Sequence, residues 1–345
     1  MTVGEAGERQ VIARVRARVP APPSFVVVGI GDDAAVLEPP RNRLDIVTTD
    51  AAVEGVHFDR RFMDMGAIGH RVLAANLSDL AAMGAEPRTA LLSLMLPDAL
   101  PLADLDALLD AFLALAARTG THLVGGNVTR SPGPLVIDVT VSGTAKRRKV
   151  LTRSGGRAGD ELYVSGSVGG AAAGLAWLQQ DRGVDTPADP AVADAVARFL
   201  RPEPRLRLGL LAGRTRAASA AMDLSDGLAD AVRQLAEASG TGARLEAAAL
   251  PVHPGVAAVF GDPDVGLGAA LSGGEDYELL FAVPRRAGRR FAVAARLARL
   301  AVTRIGDLTP AGTGLTLATV TGDRPIPEGF EHFRAPIAAV SVPGR

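Results

Sequence analysis

The residues of this chain best suited to chemistry are carboxylates set in tight, glycine- or serine-containing loops beside apolar runs. They are GIGDDAAV (Asp32, Asp33), IVTTDAAVEGVHF (Thr48, Thr49, Asp50), NLSDLAAMG (Asp79), AMDLSDGL (Asp223, Asp226) and LSGGEDYEL (Glu275, Asp276). Any one such aspartate is ordinarily a turn former or helix N-cap, because its oxygens accept from nearby backbone N–H groups. Asp79 differs: it stands inside an apolar helical run, where an uncompensated carboxylate is costly, so it calls for a cation or a donor network. The chain has no cysteine and only five histidines. Carboxylates and hydroxyls without thiolates are the ligand set of hard cations such as Mg2+ or Ca2+. The EF-hand spacing is absent, and Mg2+ normally takes phosphate oxygens along with one or two carboxylates. Glycine-rich segments GIG, VGGN, RSGGRAGD, SGSVGG and LSGG allow backbone N–H groups to approach such phosphates. The combination predicts a Mg2+-dependent nucleotide enzyme.

Composition closes other routes. With 345 residues, 37 basic against 38 acidic, and a formal net charge of −1, the chain exerts no global pull on nucleic acid. The run from Lys146 to Lys149 reads as a solvated surface segment, and every other basic residue is arginine. Absence of cysteine excludes disulfide scaffolds, thiolate metal sites, iron–sulfur clusters and cysteine nucleophiles. A P-loop is excluded because neither lysine follows a glycine, and the H-R-D and D-F-G signatures of protein kinases are missing. The segment Gly166 to Gly174 (GSVGGAAAG) lacks the spacing of a dinucleotide fingerprint and reads as helix packing. No run approaches the ~18 apolar residues of a membrane span. The opening MTVGEAGERQ lacks the apolar core of a secretory signal. A cytoplasmic protein, bound to neither membrane nor nucleic acid, is expected.

The acidic loops need elements to position them. From Val26 onward short β-rich runs alternate with longer helical ones, the pattern of layered α/β (α+β) structure. Strands are predicted over 26–30, 44–49, 89–96, 121–125 and 135–144. Gly66 to Met83 carries Ile68, Val72, Leu73, Leu77 and Leu80 at helical spacing and stops at Gly84; Leu102 to Thr119 stops in the same way at Gly120. The length predicts two domains, at roughly 150 residues each. The basic, glycine-rich stretch AKRRKVLTRSGGRAGD marks the boundary, giving domains 1–148 and 149–345. In the second, ELYVSGS opens as a strand, helices are predicted at about 169–180, 190–200, 204–213 and 227–239, and strands at about 242–248, 276–283 and 301–306. Residues 181–190 read as a surface loop, the first twenty as a helix ending before Pro20, and the tail after Phe333 carries no predicted element. GGN before one strand and GGE before another echo each other, but glycine-rich turns are too common for this to establish a duplication.

Taken together, GIGDDAAVL, TTDAAVEGVHF, ANLSDLAAMGAEP, LTRSGGRAGDELYVSG, LRPEPR, AMDLSDGLADA and LSGGEDYELLF resemble thiamine-monophosphate kinase, of the superfamily of aminoimidazole ribonucleotide synthetase. Each motif is loose; all of them in family order, from about Phe25 to Phe333, are specific. The resemblance implies a two-domain fold, an N-terminal α/β domain whose sheets pair across a homodimer and a C-terminal α/β domain. It implies ATP-dependent conversion of thiamine monophosphate to thiamine diphosphate. Carried onto matching positions, Asp32, Thr48, Thr49, Asp50, Asp79 and Asp223 are implied Mg2+ ligands, with Asp226 also near a metal. The Gly125-Gly126 backbone, Arg153 and Ser225 are implied contacts of ATP, and His57, Glu275 and Phe330 of the thiamine substrate. Asp50, Asp79, Arg153 and Asp226 are the implied catalytic residues. At Asn127 the chain departs from the family's usual Gly-Gly-Asp: a neutral amide offers an oxygen with less charge, so a weaker hold on metal is expected there.

Physical reasoning fits those implied roles. A phosphate monoester with a second pKa of about 6 is already largely a dianion at neutral pH, so no general base is required. The difficulty is the mutual repulsion of two polyanions, which cations and a planar bidentate Arg relieve while aligning the transfer. Glu275 has a permanent thiazolium charge to recognise, and an aromatic ring such as Phe330 has a cationic face to stack on. The alternatives are another ATP-using enzyme of the superfamily and a nucleotide or thiamine-phosphate binder that has lost catalysis.

Overall fold

The computed structural model describes residues 1–180 and 187–327; Phe330, residues 181–186 of the predicted loop, and the tail after Phe333 lie outside them. Two compact units are present, one of Met1–Leu80 with Ala85–Arg148, the other of Ala81–Gly84 with the residues from Lys149 onward. The first contains α1 (Val3–Ala6), α2 (Glu8–Arg18), β1 (Val26–Val28), β2 (Val36–Leu37), β3 (Leu44–Val53), α3 (Met65–Ala82), β4 (Glu86–Leu96), α4 (Leu102–Thr119), β5 (His122–Arg130) and β6 (Val136–Ala145).

Its main sheet has the order β3-β6-β4-β5, antiparallel except for the parallel pair β4/β5 that α4 connects. Along β6, Ile137, Val139 and Val141 are fully buried while Asp138, Thr140 and Ser142 are half-exposed. This period of two marks a sheet with one face on the core and one face open. The helix α3 is buried nearly all round, including His70, Arg71, Asn76 and Ser78, so the spacing seen in sequence understates it: it is a central helix, not a surface one. Helix α4 ends as expected on Gly120, left-handed at φ 70°, whose N–H returns to Ala116 and Ala117. Its backbone crosses α3 so closely at Gly69 that a Cβ there would lie 2.1 Å from the Leu108 carbonyl oxygen.

The second unit contains β7 (Glu161–Ser165), α5 (Gly170–Leu178), α6 (Pro190–Leu200), α7 (Leu206–Thr215), β8 (Ala220–Asp223), α8 (Leu228–Ser239), β9 (Gly242–Glu246), α9 (Pro254–Phe260), α10 (Pro263–Ser272), β10 (Leu279–Val283), α11 (Arg285–Leu297), β11 (Val302–Thr309), β12 (Leu315–Thr319) and β13 (Gly322–Pro325). Its sheet runs β13-β12-β9-β11-β7-β10-β8, with β12/β9 the one parallel pair among the described strands of this sheet. The elements β8, α9, α10, α11, β12 and β13 stand where the sequence reading places none. In α11 the signal was arginines alternating with a buried stripe of Ala287, Phe291 and Ala295. The strand predicted from residue 276 begins only at Leu279, because Glu275 and Tyr277 take positive φ and cannot join a ladder.

The segment read as helix packing does pack: at Gly174 a Cβ would lie 2.3 Å from the Ala195 carbonyl oxygen of α6. It has a second role. Helix α5 starts on Gly169 with no side-chain cap of its own. Asp276 supplies the cap from elsewhere in the chain, its carboxylate accepting from Gly169 N at 2.6 Å and Ala171 N at 2.9 Å.

Two predictions follow from this packing. Gly69→Ala should lower the unfolding midpoint, with a loss of about 1–3 kcal/mol from overpacking against α4. Gly268→Ala, inside α10 with nothing within 4 Å of the added methyl, should raise it by about 0.5–1 kcal/mol. Denaturant titration of both variants checks the opposite signs. For Asp276, burial pushes the carboxyl up to about 7, against the Ala171 and Gly169 N–H groups that pull it down. The folded state therefore holds the proton more tightly than the unfolded chain, so this stability is complete below about pH 4 and is lost as pH rises through about 7. Thermal unfolding between pH 5 and 8 should decline more steeply for the native chain than for Asp276→Asn.

Candidate functional site

In the first unit the site begins with the alternation of β3. Thr48 pairs with Val141 and Asp50 with Val139, residues of the buried face of β6, so Thr48 and Asp50 share the helix side of the sheet. There the Thr48 hydroxyl donates to Asp79 Oδ2 at 2.5 Å. That bond is the donor network that the apolar setting of Asp79 called for. Thr49 points to the open face, its Oγ1 lying 2.9 Å from Thr140 Oγ1 and 3.3 Å from Asp138 Oδ1. Asp138 was missed in the sequence; the available signal was an acid alternating with Val and Ile along a strand, on the same face as Thr49.

Gly125, Gly126 and Asn127 lie on β5, at the other side of the sheet. A Cβ at Gly126 would come within 1.9 Å of the Leu92 carbonyl oxygen, so the chain can run this close to β4 only as glycine. Register places Asn127 opposite Ser93, Ser93 opposite Asp138 and Asp138 opposite Ala51, in one row on the open face. Asn127 therefore shares a face with Thr49 and not with Thr48, Asp50 or Asp79. It is also three strand spacings from β3, about 14 Å along the sheet. The residues grouped by sequence motif are thus divided by the sheet into two sets.

Asp32 sits in the exposed turn between β1 and β2, where its Oδ1 accepts from Asp33 N at 2.9 Å. His57, just beyond β3, accepts from Val53 N through Nδ1 at 3.1 Å. In the neutral ring that contact assigns the proton to Nε2 and fixes the orientation of the imidazole.

In the second unit two loops are laced together by main-chain bonds. Glu275 N donates to Ser225 O at 2.7 Å, Tyr277 N to Leu224 O at 3.1 Å, and Leu224 N to Glu278 O at 2.8 Å. This brings Asp223, buried at the end of β8, into one patch with Ser225, Asp226 and Glu275. Gly274 is required there, since a Cβ would lie 2.5 Å from the Ser225 carbonyl oxygen. Arg153 lies in the glycine-rich stretch before β7, exposed, with Nη1 donating to Gln234 Oε1 of α8 at 2.6 Å. Among the described residues no three His, Asp or Glu side chains of either unit are clustered tightly enough to hold a metal ion. The donor chemistry nevertheless fits a hard cation: carboxylates and threonine hydroxyls, with no thiolate.

Comparison with known proteins bears on the family of the chain. Residues 31–145 match the family described as AIR synthase related protein, N-terminal domain, and residues 157–317 its C-terminal domain counterpart. The chain is 39% identical over 336 residues to the thiamine-monophosphate kinase of Escherichia coli (strain K12), covering 96% of this chain and 99% of that one. The crystal structure of thiamine-monophosphate kinase from Stenotrophomonas maltophilia K279a superposes with a TM-score of 0.78 at 36% identity, over 90% of this chain and 94% of the other. That of AaThiL complexed with AMPPCP and TMP gives 0.74 at 30% identity, over 96% and 99%. With both domains matched and the likeness running nearly end to end, the chain belongs to the thiamine-monophosphate kinase family of AIR synthase related proteins.

Proposed function

We propose that this chain transfers the γ-phosphoryl group of ATP to the phosphate of thiamine monophosphate, giving thiamine diphosphate and ADP. The observation that carries this reading is the near full-length likeness to thiamine-monophosphate kinases, one of them solved with AMPPCP and TMP. In the reaction an oxygen of the acceptor phosphate forms the new bond to the γ-phosphorus while the bond to the bridging β,γ-oxygen breaks, and ADP leaves with that electron pair. The acceptor is already a dianion, so the protein has charge and alignment to supply and no proton to remove.

The carboxylates and hydroxyls described above would hold Mg2+, which would supply neutralisation of the phosphate charge. We assign its ligands to Asp32, Thr48, Thr49, Asp50, Asp79, Asp223 and Asp226, with Asn127 as a neutral, weaker donor. Thr48 holds the Asp79 carboxylate in one orientation. The backbone at Gly125 and Gly126, with Arg153 and Ser225, is assigned to ATP. His57, Glu275 and Phe330 are assigned to the thiamine substrate, Glu275 answering the thiazolium charge. The first unit is read as the ATP and Mg2+ domain, and the second as completing the nucleotide and substrate site.

A homodimer is part of the proposal. Thr49 and Asn127 cannot reach one ion across three strands of a single sheet, since ligands to a common Mg2+ stand only about 2 Å from it. A second copy that brings its own β5 or β3 to the first resolves that distance. A cytoplasmic setting is proposed as well; no helix among the described residues is long and apolar enough to cross a membrane.

Purified protein with ATP, Mg2+ and thiamine monophosphate should form thiamine diphosphate and ADP in equal amounts by chromatography. Asp79→Asn should reduce the rate by at least about a hundredfold, the scale of losing one preorganised charge contact. Mg2+-dependent ATP binding without product would instead indicate a sibling ATP-using enzyme or a decayed binder. Sedimentation should give twice the 35.4 kDa chain mass, and a single-chain value would remove the dimer.

A further inference from the structure

The loop from Gly273 to Glu278 is held in a conformation that its own residues resist. Glu275 (φ 72°) and Tyr277 (φ 48°) both occupy the left-handed region without being glycine. Such residues persist only where the surroundings over-determine them. The two residues that alternate with them, Asp276 and Glu278, provide that determination.

Asp276 is seated on the N–H groups at the start of α5. Glu278 is fully buried and takes both prongs of Arg205, Nε at 2.8 Å and Nη2 at 2.5 Å, together with the Ser165 hydroxyl at 2.5 Å. Arg198 Nη1 stands 3.6 Å from the same carboxylate. The Ser165 oxygen in turn accepts from Leu279 N at 2.8 Å, pinning the start of β10. The chain makes room for this carboxylate at Gly166, where a Cβ would lie 2.1 Å from Glu278 Oε1. A buried ion pair is a poor device for stability alone, because packed apolar residues of similar volume often do as well or better. A bidentate guanidinium gives directional placement that apolar packing does not.

We infer that Glu278, Arg205, Ser165 and Asp276 are positioning residues for the phosphoryl transfer, acting through the loop backbone to present Glu275 to the thiamine substrate. This rests on the reading of Glu275 as a substrate contact. The role is invisible in the motif SGGEDYEL alone, where four polar residues in a row look equivalent.

The test is steady-state kinetics on the full chain for Ser165→Ala, Glu278→Gln, Glu275→Gln and the double variant of Ser165→Ala with Glu275→Gln. Ser165→Ala should raise KM for thiamine monophosphate about three- to tenfold, the equivalent of one hydrogen bond, while KM for ATP stays within twofold. Glu278→Gln should raise it further. In the double variant the effect of Ser165→Ala should vanish, because the residue through which it acts is already gone. A lowered unfolding midpoint with KM for thiamine monophosphate unchanged in Ser165→Ala, while Glu275→Gln raises it, would overturn the positioning role and leave the substrate reading standing. An unchanged KM in Glu275→Gln would overturn the substrate reading and the positioning role with it. Ser165→Ala decides the matter even if Glu278→Gln does not fold.

Discussion

A carboxylate withdrawn from water has to be answered by donors, and in this protein that requirement organises both units. In the first, Asp79 is carried by a helix buried nearly all round and is met by the Thr48 hydroxyl from the adjoining strand. In the second, Glu278 is met by Arg205 and Ser165, and Asp276 by two backbone N–H groups. Glu278 is fully buried and Asp79 and Asp276 are half-buried; an unanswered charge is costly in either setting, so each pairing also fixes where its element lies. The strand β3, the helix α3 and the loop that carries Glu275 are therefore held by the same bonds that satisfy these acids.

The sheet of the first unit imposes a second constraint. Successive residues of β3 must face opposite ways, so the run Thr48, Thr49, Asp50 cannot act as a single cluster. Thr48 and Asp50 go to the helix side with Asp79, while Thr49 goes to the open side with Asp138, Thr140 and, three strands away, Asn127. A contiguous motif therefore serves two faces. The edge strand β3, whose Val47 is 65% exposed, borders that open face.

The second unit shows how strain is stored beside chemistry. Positive φ at Glu275 accompanies its main-chain bond to Ser225, beside Asp223 and Asp226, and Tyr277, also at positive φ, is buried. The opposing forces are local and identifiable: main-chain bonds to Leu224 and Ser225 on one side, buried carboxylate pairings on the other. Replacing the polar pairs with apolar residues would keep the volume filled and lose the direction, which is why an apolar core would not serve here.

The layered class, the main helices and strands of the first unit, and the residue types of the proposed site are legible in the chain's local patterns. Those follow from local physics: glycine where backbones must approach, alternation where one sheet face is buried, and oxygen donors of the kind that hard cations take. The sequence also carried the family resemblance, because seven loose motifs in order are jointly specific. Which of those residues meet depends on long-range packing. The Thr48 to Asp79 bond spans 31 residues, the Arg205 to Glu278 pair 73, and the capping of α5 by Asp276 more than a hundred. The separation of Asn127 from Asp50 likewise rests on strand order and register, which are set by long-range pairing and leave no trace in the spacing of either motif.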